Sequence, residues 1–393
     1  MENIASFDLL RKLWRAYFNR DKQIERELKI LKKNIQYYAS SILCFPFAIP
    51  DNATIHVTYQ CNLNCPICEI INIPKRDKLS APEYNLTTPE LESIAEQIKK
   101  MGIAEVMLTG GEPLLRHDLI NIVDLCIKQG IEVDITTNGT IINEKTARDI
   151  ASSKIRHIQV SIDSLNPEIN DTIRGKAGSF LKAIEGINSI SKHKVIIKKT
   201  KYDRPTIGIN TVIIDKNLQD LVGMVGFFKK MEVIQIVYLP FVTDTSNLQN
   251  IDSASSFWPK KVRLEALDSA IDQLVKLKQS DGNFINPHQQ IEYLSLLKKY
   301  YRNEIEVSKF RCLSALNRVV IGPNGDVAYC GGSFGNLRKK SLSGIWYSNR
   351  AWQARKQVKK CKNPCLQVCM GKTECENIKT IFNSFTGRVK KLY

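Results

Sequence analysis

Strand-like and helix-like segments alternate along residues 54–239, and this alternation limits the possible folds more than any other feature of the chain. Each strand-like run is short and rich in β-branched residues, and amphipathic helical segments separate the runs. Strands that alternate with helices in this way form parallel sheets through right-handed crossovers. The runs begin near Thr54, Glu105, Glu132, His157, Ile207 and Val233. The pattern therefore predicts an α/β fold with six parallel strands.

Six strand–helix units are fewer than the eight of a closed TIM barrel. We therefore expect a partial (β/α)6 TIM-like barrel or an open sheet, and in either case a ligand site at the carboxyl ends of the strands. The alternation of strand-like and helix-like segments stops on both sides of this region. The predicted divisions are a basic helical extension (1–50), the partial barrel (51–240), a connecting helical region (241–305), a small cysteine-rich α+β domain (306–376) and a basic tail (377–393).

The composition is that of a globular protein, but the charge is unbalanced. Hydrophobic residues make up 43% and charged residues 25% of the 393 residues, and no apolar run approaches the length of a membrane-spanning helix. The first residues lack the apolar core of a secretory signal, so we expect a cytoplasmic protein. Lys and Arg outnumber Asp and Glu by 57 to 40, giving a net charge of +17 that favours an anionic partner. The basic extension fits either an anionic membrane surface or an accessory helix pair packed on the barrel.

The eleven cysteines are distributed unevenly along the chain. In a protein without an export signal, such cysteines are better interpreted as metal ligands than as disulfide partners. Cys44 and Cys126 stand alone, and the apolar run around Cys126 predicts a core position for it. The others form a first cluster (Cys61, Cys65, Cys68) and a C-terminal set (Cys312, Cys330, Cys361, Cys365, Cys369, Cys375).

The first cluster lies in the segment YQCNLNCPIC, residues 59–68, directly after the first predicted strand. Three thiolates on one loop are able to hold three irons of a [4Fe–4S] cluster, and the absence of a nearby fourth cysteine leaves one iron without a protein ligand. An open metal position is where a substrate or cofactor binds. The alternative is a zinc site, which usually needs a second cysteine or histidine pair, but the next histidine after Cys68 is His117. The odd number of ligands and their place at a strand end favour iron–sulfur.

The spacing of Cys61, Cys65 and Cys68 resembles the three-cysteine motif of the radical SAM superfamily. The resemblance implies that these residues bind a [4Fe–4S] cluster whose open iron is chelated by the amino and carboxylate groups of S-adenosylmethionine (SAM). In that family an electron from the cluster cleaves the sulfonium, and the 5′-deoxyadenosyl radical that results abstracts hydrogen from the substrate. The chain departs from the family pattern at Ile67, where an aromatic residue is usual.

Residues at the ends of other predicted strands match the same family. Gly110, Gly111 and Glu112 follow the second strand and resemble the family's GGE motif, whose backbone and glutamate receive the SAM amino group. Adjacent glycines allow close backbone approach, and a carboxylate suits an ammonium group. Because Ser, Asp and Asn also cap helices and turns, a structural role is the alternative for the remaining polar residues. The resemblance implies SAM contacts for Asn138, Ser161, Asp163, Arg174 and Asn210.

The C-terminal cysteines resemble the SPASM/Twitch extension of radical SAM enzymes, which holds one or two auxiliary [4Fe–4S] clusters. Cys312 and Cys330 flank a predicted hairpin with its turn at residues 322–325. The later cysteines depart from the usual spacing, and none follows Cys375. Six thiolates saturate one cluster and leave two for a second, so we expect one auxiliary cluster or two, with a zinc ribbon as the alternative. The ligands implied are Cys312, Cys330, Cys361, Cys365, Cys369 and Cys375.

Taken together, the resemblance implies a radical SAM oxidoreductase or transferase that receives electrons from a flavodoxin- or ferredoxin-like protein. We expect a peptide or an anionic small metabolite as substrate, with a lipid or cofactor precursor at a membrane surface as the alternative. Two other classes remain open: a zinc protein that binds nucleic acid, which the residues favour little, and an electron-transfer iron–sulfur protein. Because a radical must be shielded from water, we also expect residues 241–305 and the auxiliary module to cover the barrel mouth.

Overall fold

A computed structural model describes residues 22–72, 81, 84–196, 205–242, 255–280, 284–286, 289–310, 312–363, 365–366 and 385–386. Within these residues, helices pack on a single sheet of nine strands. Predictions for residues 1–21, for residues 243–254 of the connecting region, for Cys369 and Cys375, and for nearly all of the basic tail lie outside this part of the chain.

The strand order in the sheet is β6-β5-β4-β3-β2-β1-β7-β8-β9. Strands β1 to β6 lie in chain order, and each pairs in parallel with the next, as the prediction of a partial (β/α)6 barrel requires. The strands are β1 Asn52–Thr58, β2 Glu105–Gly110, β3 Glu132–Thr137, β4 His157–Ser161, β5 Thr206–Ile213, β6 Val233–Pro240, β7 Arg318–Ile321, β8 Asp326–Tyr329 and β9 Gly332–Asn336.

The helices cover the sheet with apolar stripes at helical spacing. In the second helix, for example, Leu91, Ile94 and Ile98 are buried, and burial of each such side chain contributes about 2 kcal/mol. The helices are α1 Lys22–Leu43, α2 Thr88–Lys100, α3 Leu119–Lys128, α4 Glu144–Ser152, α5 Pro167–Arg174, α6 Ser179–Ile196, α7 Leu221–Lys229, α8 Leu264–Ser280, α9 Ile291–Tyr301, α10 Leu342–Trp346 and α11 Asn349–Lys359. Short 3-10 turns occupy Glu69–Asn72, Pro113–Leu115, Asp215–Asn217, Lys261–Arg263 and Val307–Lys309.

The C-terminal hairpin continues the barrel sheet. Strand β7 pairs in parallel with β1, with Asn52 opposite Arg318 and Ile55 opposite Ile321. Strands β8 and β9 then add in antiparallel fashion. The sequence predicted a hairpin in a small separate domain; the hairpin is present, but its first strand is hydrogen-bonded to the first strand of the barrel. The two predicted domains therefore share one sheet.

The connecting region packs beside the carboxyl ends of β5 and β6. The Tyr301 hydroxyl donates to the Ile213 carbonyl at 2.5 Å, and the Tyr300 hydroxyl donates to the Phe241 carbonyl at 2.6 Å. The Trp258 ring lies against both tyrosines, with centroids 5.1 and 4.9 Å away. This aromatic cluster brings α9 to the edge at which the sequence predicts the ligand site.

Helix α1, the described part of the N-terminal extension, ends against the C-terminal module. The Lys359 ammonium donates to the Ile42 carbonyl at 2.8 Å, and the Trp352 indole donates to the Leu43 carbonyl at 3.2 Å. No helix among the described residues is long and apolar enough to cross a membrane. Contact of the extension with a membrane surface stays a prediction.

Arg156 joins the amino ends of three strands. Its guanidinium lies 2.6 Å from Asp134, 2.8 Å from Glu132 and 2.9 Å from Glu105. Because this ion-pair network is partly buried and lies at the end of the sheet opposite the predicted ligand site, Arg156→Met should lower the free energy of unfolding by about 2 kcal/mol. Any catalytic activity per folded molecule should be unchanged. Urea unfolding measures the first effect.

The matched control is Lys298→Ala, which breaks a more exposed pair with Asp272. Such pairs contribute little, so its effect on the free energy of unfolding should stay below about 0.5 kcal/mol. Equal effects of the two substitutions would contradict the stabilising role of the Arg156 network.

Candidate functional site

The loop that follows β1 carries the three cysteines of the first cluster, and each of them is partly exposed. A turn within the loop is closed by a hydrogen bond from the Cys68 amide to the Cys65 carbonyl at 3.0 Å. Burial raises the pKa of the Cys65 thiol to about 11, an effect that Arg174 opposes and that Cys68 and Cys61 reinforce. The three sulfurs thus share one electrostatic environment, and a cationic metal centre that binds there displaces their protons.

The GGE loop at the end of β2 braces the cysteine loop from one side. The Gly111 amide donates to the Thr58 carbonyl and the Glu112 amide donates to the Gln60 carbonyl, both at 2.7 Å. A Cβ atom on Gly111 would lie 2.1 Å from the Gln60 oxygen, and one on Gly110 would lie 2.2 Å from the Thr58 oxygen. The sequence explained the glycines by close approach to a ligand; here the close approach is to the backbone that leads into Cys61.

The exit of β3 braces the same loop through its side chains. The side-chain amide of Asn138 donates to the side-chain oxygen of Asn62 at 2.9 Å. The side-chain amide of Asn62 in turn donates to the Thr140 hydroxyl at 2.8 Å. The Asn138 nitrogen also lies 4.0 Å from the Cys61 sulfur. Asn138, which the sequence predicts to bind the cofactor, therefore contacts the cysteine loop directly. The sequence analysis did not single out Asn62. Its position between Cys61 and Cys65 was the feature that could have indicated a role in the loop.

The end of helix α5 closes the third side. Gly175 adopts a left-handed φ of 64°, and a Cβ atom there would lie 2.2 Å from the Asn64 carbonyl oxygen. The Lys176 ammonium donates to the Asn62 carbonyl at 3.1 Å, and the Cys65 thiol donates to the Arg174 carbonyl at 3.4 Å. Sequence reasoning did not single out Gly175, although a glycine just after a helix is a recognisable helix terminator.

Arg174 and Asp163 form a buried ion pair next to Cys65. The guanidinium Nη2 lies 2.6 Å from the Asp163 carboxylate, which is fully buried and also accepts from the Val212 amide at 2.8 Å. Burial raises the pKa of Asp163, and Arg174 opposes that rise. The Arg174 Nε is buried and has no hydrogen-bond partner among the described residues. The site therefore offers a largely buried cation with an unused donor, an arrangement that fits an anionic ligand group.

The carboxylate of Glu112 is fully buried and joins the exits of β2 and β3. It accepts from the Thr137 hydroxyl at 2.7 Å, from the backbone amide of Asn138 at 2.8 Å and from the backbone amide of Leu114 at 3.1 Å. Burial raises the pKa of Glu112 to about 7, although these three hydrogen bonds lower it in part. The predicted contact of this carboxylate with the SAM ammonium stays a prediction.

Ser161, the last residue of β4, lies opposite Asn210 in the middle of β5. Both are half-buried. The Ile162 amide, just after β4, donates to the Asn210 carbonyl of β5 at 3.0 Å, which holds the end of β4 against β5. The fold thus brings together two polar residues that are far apart in sequence, at the edge where the cysteine loop also lies.

Three of the C-terminal cysteines, Cys312, Cys330 and Cys361, lie at a second location. A cavity of about 410 Å³ is lined by Cys312, Ser314 and Cys361, among others, and the Ser314 hydroxyl lies 3.1 Å from the Cys330 sulfur. Cys365 lies elsewhere, beside the segment in which the Leu366 carbonyl accepts from the Tyr293 hydroxyl. Within the described part of the chain, no three Cys, His, Asp or Glu side chains converge closely enough to hold a single metal ion.

The donors at both locations fit iron–sulfur clusters. In a cubane cluster each thiolate binds a different iron, so its ligands stand further apart than those of a single ion. At the first location, the buried Nε of Arg174 has no hydrogen-bond partner among the described residues, and Arg174 lies next to Cys65. Such a donor suits an anionic group that chelates a cluster held by the three thiols.

Family profiles match both regions. The profile of the radical SAM superfamily matches residues 55–227, and the profile of an iron–sulfur cluster-binding domain, SPASM, matches residues 312–384. The AdoMet-dependent heme synthase of Methanosarcina barkeri is 23% identical over 84% of this chain and 91% of its own length. The PqqA peptide cyclase of Bradyrhizobium diazoefficiens is 22% identical over 81% of this chain and 78% of its own length.

The fold itself matches solved structures. Streptococcus suis SuiB, bound to the precursor peptide SuiA, superposes with a TM-score of 0.57 at 19% identity, over 84% of this chain and 70% of that chain. The radical SAM domain brings a [4Fe–4S] cluster and SAM, and the SPASM domain brings auxiliary iron–sulfur clusters. The chain is therefore an enzyme of the radical SAM superfamily, with a partial-barrel fold and a C-terminal SPASM domain.

Proposed function

We propose that the enzyme cleaves SAM at a cluster held by Cys61, Cys65 and Cys68, and that it modifies a peptide. The observation that carries the first part is the cysteine loop itself, which places three partly exposed thiols at the carboxyl edge of the barrel and is braced on three sides. A loop fixed in this way keeps its sulfurs in place as ligands while the cluster's fourth iron stays open to SAM.

When bound, the reduced cluster supplies the electron that breaks a sulfonium carbon–sulfur bond of SAM. Arg174 is suited to receive the SAM carboxylate, because it is a largely buried cation whose Nε has no hydrogen-bond partner among the described residues. Asp163 is a positioning residue, since its carboxylate holds the guanidinium. Glu112 positions the backbone of Asn138, and the glycine pair lets the GGE loop lie against the backbone of Thr58 and Gln60.

We assign the neighbouring pair Ser161 and Asn210 to the remaining polar part of SAM, the ribose. The two residues lie opposite each other on adjacent strands, and both are only half-buried, so their polar atoms remain available. On the β5–β6 side, Trp258, Tyr300 and Tyr301 form an apolar wall that supports the exclusion of water from the radical.

The proposal of a peptide substrate rests on the relatives. The PqqA peptide cyclase resembles most of the chain, and SuiB, which shares the fold, is bound to a precursor peptide. A second candidate, an anionic small metabolite, is favoured by the likeness to the heme synthase and by the net charge of +17. The same charge supports an acidic flavodoxin- or ferredoxin-like reductant in the cytoplasm.

The substrate class is tested by 5′-deoxyadenosine formation. The anaerobically purified enzyme is incubated with SAM, dithionite and an extract of the cells that produce it. A peptide substrate should raise 5′-deoxyadenosine formation above the rate without extract, and protease treatment of the extract should remove the increase. Stimulation that survives protease and passes a small-pore filter would favour the anionic metabolite instead.

Cys65→Ala serves as the control for cluster chemistry, because it removes one of the three proposed ligands. Its 5′-deoxyadenosine formation should fall to background with or without extract. Undiminished formation by this variant would exclude the proposed site.

Gly111→Ala tests the bracing of the cysteine loop. A methyl group 2.1 Å from the Gln60 oxygen forces the backbone apart, so the first cluster should lose iron and 5′-deoxyadenosine formation should fall at least about tenfold. The matched control is Gly226→Ala in helix α7, where a Cβ atom meets nothing within 4 Å. That change should leave activity intact and stabilise the protein by roughly 0.5–1 kcal/mol. Equal iron content in both variants would contradict the bracing role.

The raised pKa of Glu112 predicts a pH-dependent stability. Between the ordinary value of 4.5 and about 7, the carboxyl group ionises in the unfolded chain before it does so in the folded one. The free energy of unfolding should therefore fall by roughly 3 kcal/mol as the pH rises through that range, and change no further above it. Glu112→Gln removes this contribution. The difference between the two proteins in urea unfolding should vary with pH by that amount, and a constant difference would contradict the raised pKa.

A further inference from the structure

Three cysteines line the cavity between the N-terminal extension and the C-terminal module, and a fourth lies next to one of its lining residues. Its lining includes Cys44 as well as Cys312 and Cys361. Cys330 adjoins it through its 3.1 Å contact with Ser314, which also lines the cavity. In the sequence Cys44 is isolated, more than 250 residues before Cys312. The fold brings this isolated cysteine to the C-terminal set, and four thiolates are the usual ligand set of a [4Fe–4S] cluster.

The backbone at Cys44 has an uncommon conformation. Cys44 directly follows helix α1 and adopts a left-handed φ of 57°, while its side chain is only 5% exposed. Glycine is the usual residue at such a position, and another residue there costs about 1 kcal/mol. A residue that adopts such a conformation at an energetic cost and lines a cavity is a candidate for a functional role.

Contacts on both sides of Cys44 hold it against the module. The Ile42 and Leu43 carbonyls, just before it, accept from side chains of helix α11. The Phe45 ring, just after it, lies 5.9 Å from the Tyr347 ring. Cys44 is therefore fixed relative to the cavity by residues of the C-terminal module rather than by its own helix alone.

The charge around the cavity suits an anionic group. None of its described lining residues is acidic, and four are basic: Arg355, Lys359, Lys360 and Lys362. The Arg355 guanidinium is 3% exposed, donates only to the Ala315 and Trp346 carbonyls, and has no carboxylate partner among the described residues. Burial lowers the pKa of Arg355 to about 10, which leaves it charged at neutral pH. A [4Fe–4S] core of charge +2 with four thiolates carries a net charge of −2, so Arg355 lies where a counter-charge is needed.

We propose that Cys44 is a ligand of an auxiliary [4Fe–4S] cluster in this cavity, together with Cys312, Cys330 and Cys361. Each cysteine binds one iron as a thiolate after losing its proton. The N-terminal extension is then part of the auxiliary cluster site, and Cys365, Cys369 and Cys375 are left for other roles. The alternative fourth ligand is Cys369 or Cys375.

The test uses the full chain with Cys61, Cys65 and Cys68 all changed to Ala, so that the remaining iron belongs to the auxiliary module. In this parent, Cys44→Ala and Cys44→Ser are compared with Cys126→Ser, a buried cysteine of the barrel core. Iron and acid-labile sulfide per chain are counted after reconstitution, and the EPR spectrum is recorded after reduction.

Cys44→Ala should lose about four irons per chain or change the EPR spectrum of the cluster in this cavity. Cys44→Ser, which offers an oxygen ligand in nearly the same volume, should shift the spectrum, while Cys126→Ser should match the parent. Addition of 2-mercaptoethanol to Cys44→Ala should restore a thiolate-ligated spectrum, which separates ligand loss from misfolding.

Iron content and spectra equal to those of the parent in both Cys44 variants would overturn the proposal. Loss of the same cluster in Cys369→Ser or Cys375→Ser, with the Cys44 variants unchanged, would overturn it too and assign the fourth ligand to the later cysteines. The readout involves no SAM, so failure of SAM cleavage in the unmodified enzyme would sink the proposed function and leave this result standing.

Discussion

The hydrogen bonds between the GGE loop and the backbone that leads into Cys61 are the interaction on which the rest of the site depends. Two amides of the GGE loop reach carbonyls of Thr58 and Gln60 at 2.7 Å, a distance that only glycine at position 111 permits. The exit of β3 and the end of α5 then contact the same loop. Because parallel strands end at one edge of a sheet, supports that are far apart in sequence converge on three thiols.

The architecture was largely predictable from the sequence, because its signals are local. The β-branched runs and the helical stripes between them predicted six parallel strands in chain order, and the structure has them. The cysteine spacing and the GGE segment predicted the family in the same way. The pairing of β7 with β1 was not predictable, since nothing in either segment specifies which distant strand covers an open edge.

Site details were harder to predict, because a residue type does not reveal its partner. Asp163 and Arg174 were both predicted to contact SAM, and the sequence did not reveal that the two side chains also pair with each other, with the arginine Nε left without a partner among the described residues. Glu112 was predicted to meet an ammonium group, and the sequence did not reveal that its carboxylate also accepts from three donors of the protein. Cys44 looked isolated because proximity to Cys312 arises only when helix α1 docks on α11.

The sheet shared by the barrel and the hairpin determines whether the barrel can be separated from the C-terminal module. Strand β1 carries the cysteine loop at its end and uses its outer edge to bind β7. A fragment cut before residue 318 would leave that row of amides and carbonyls bare, and bare strand edges recruit other chains and aggregate. The barrel and the hairpin are therefore two parts of one sheet, and the hairpin protects the edge of the strand that carries the cysteine loop.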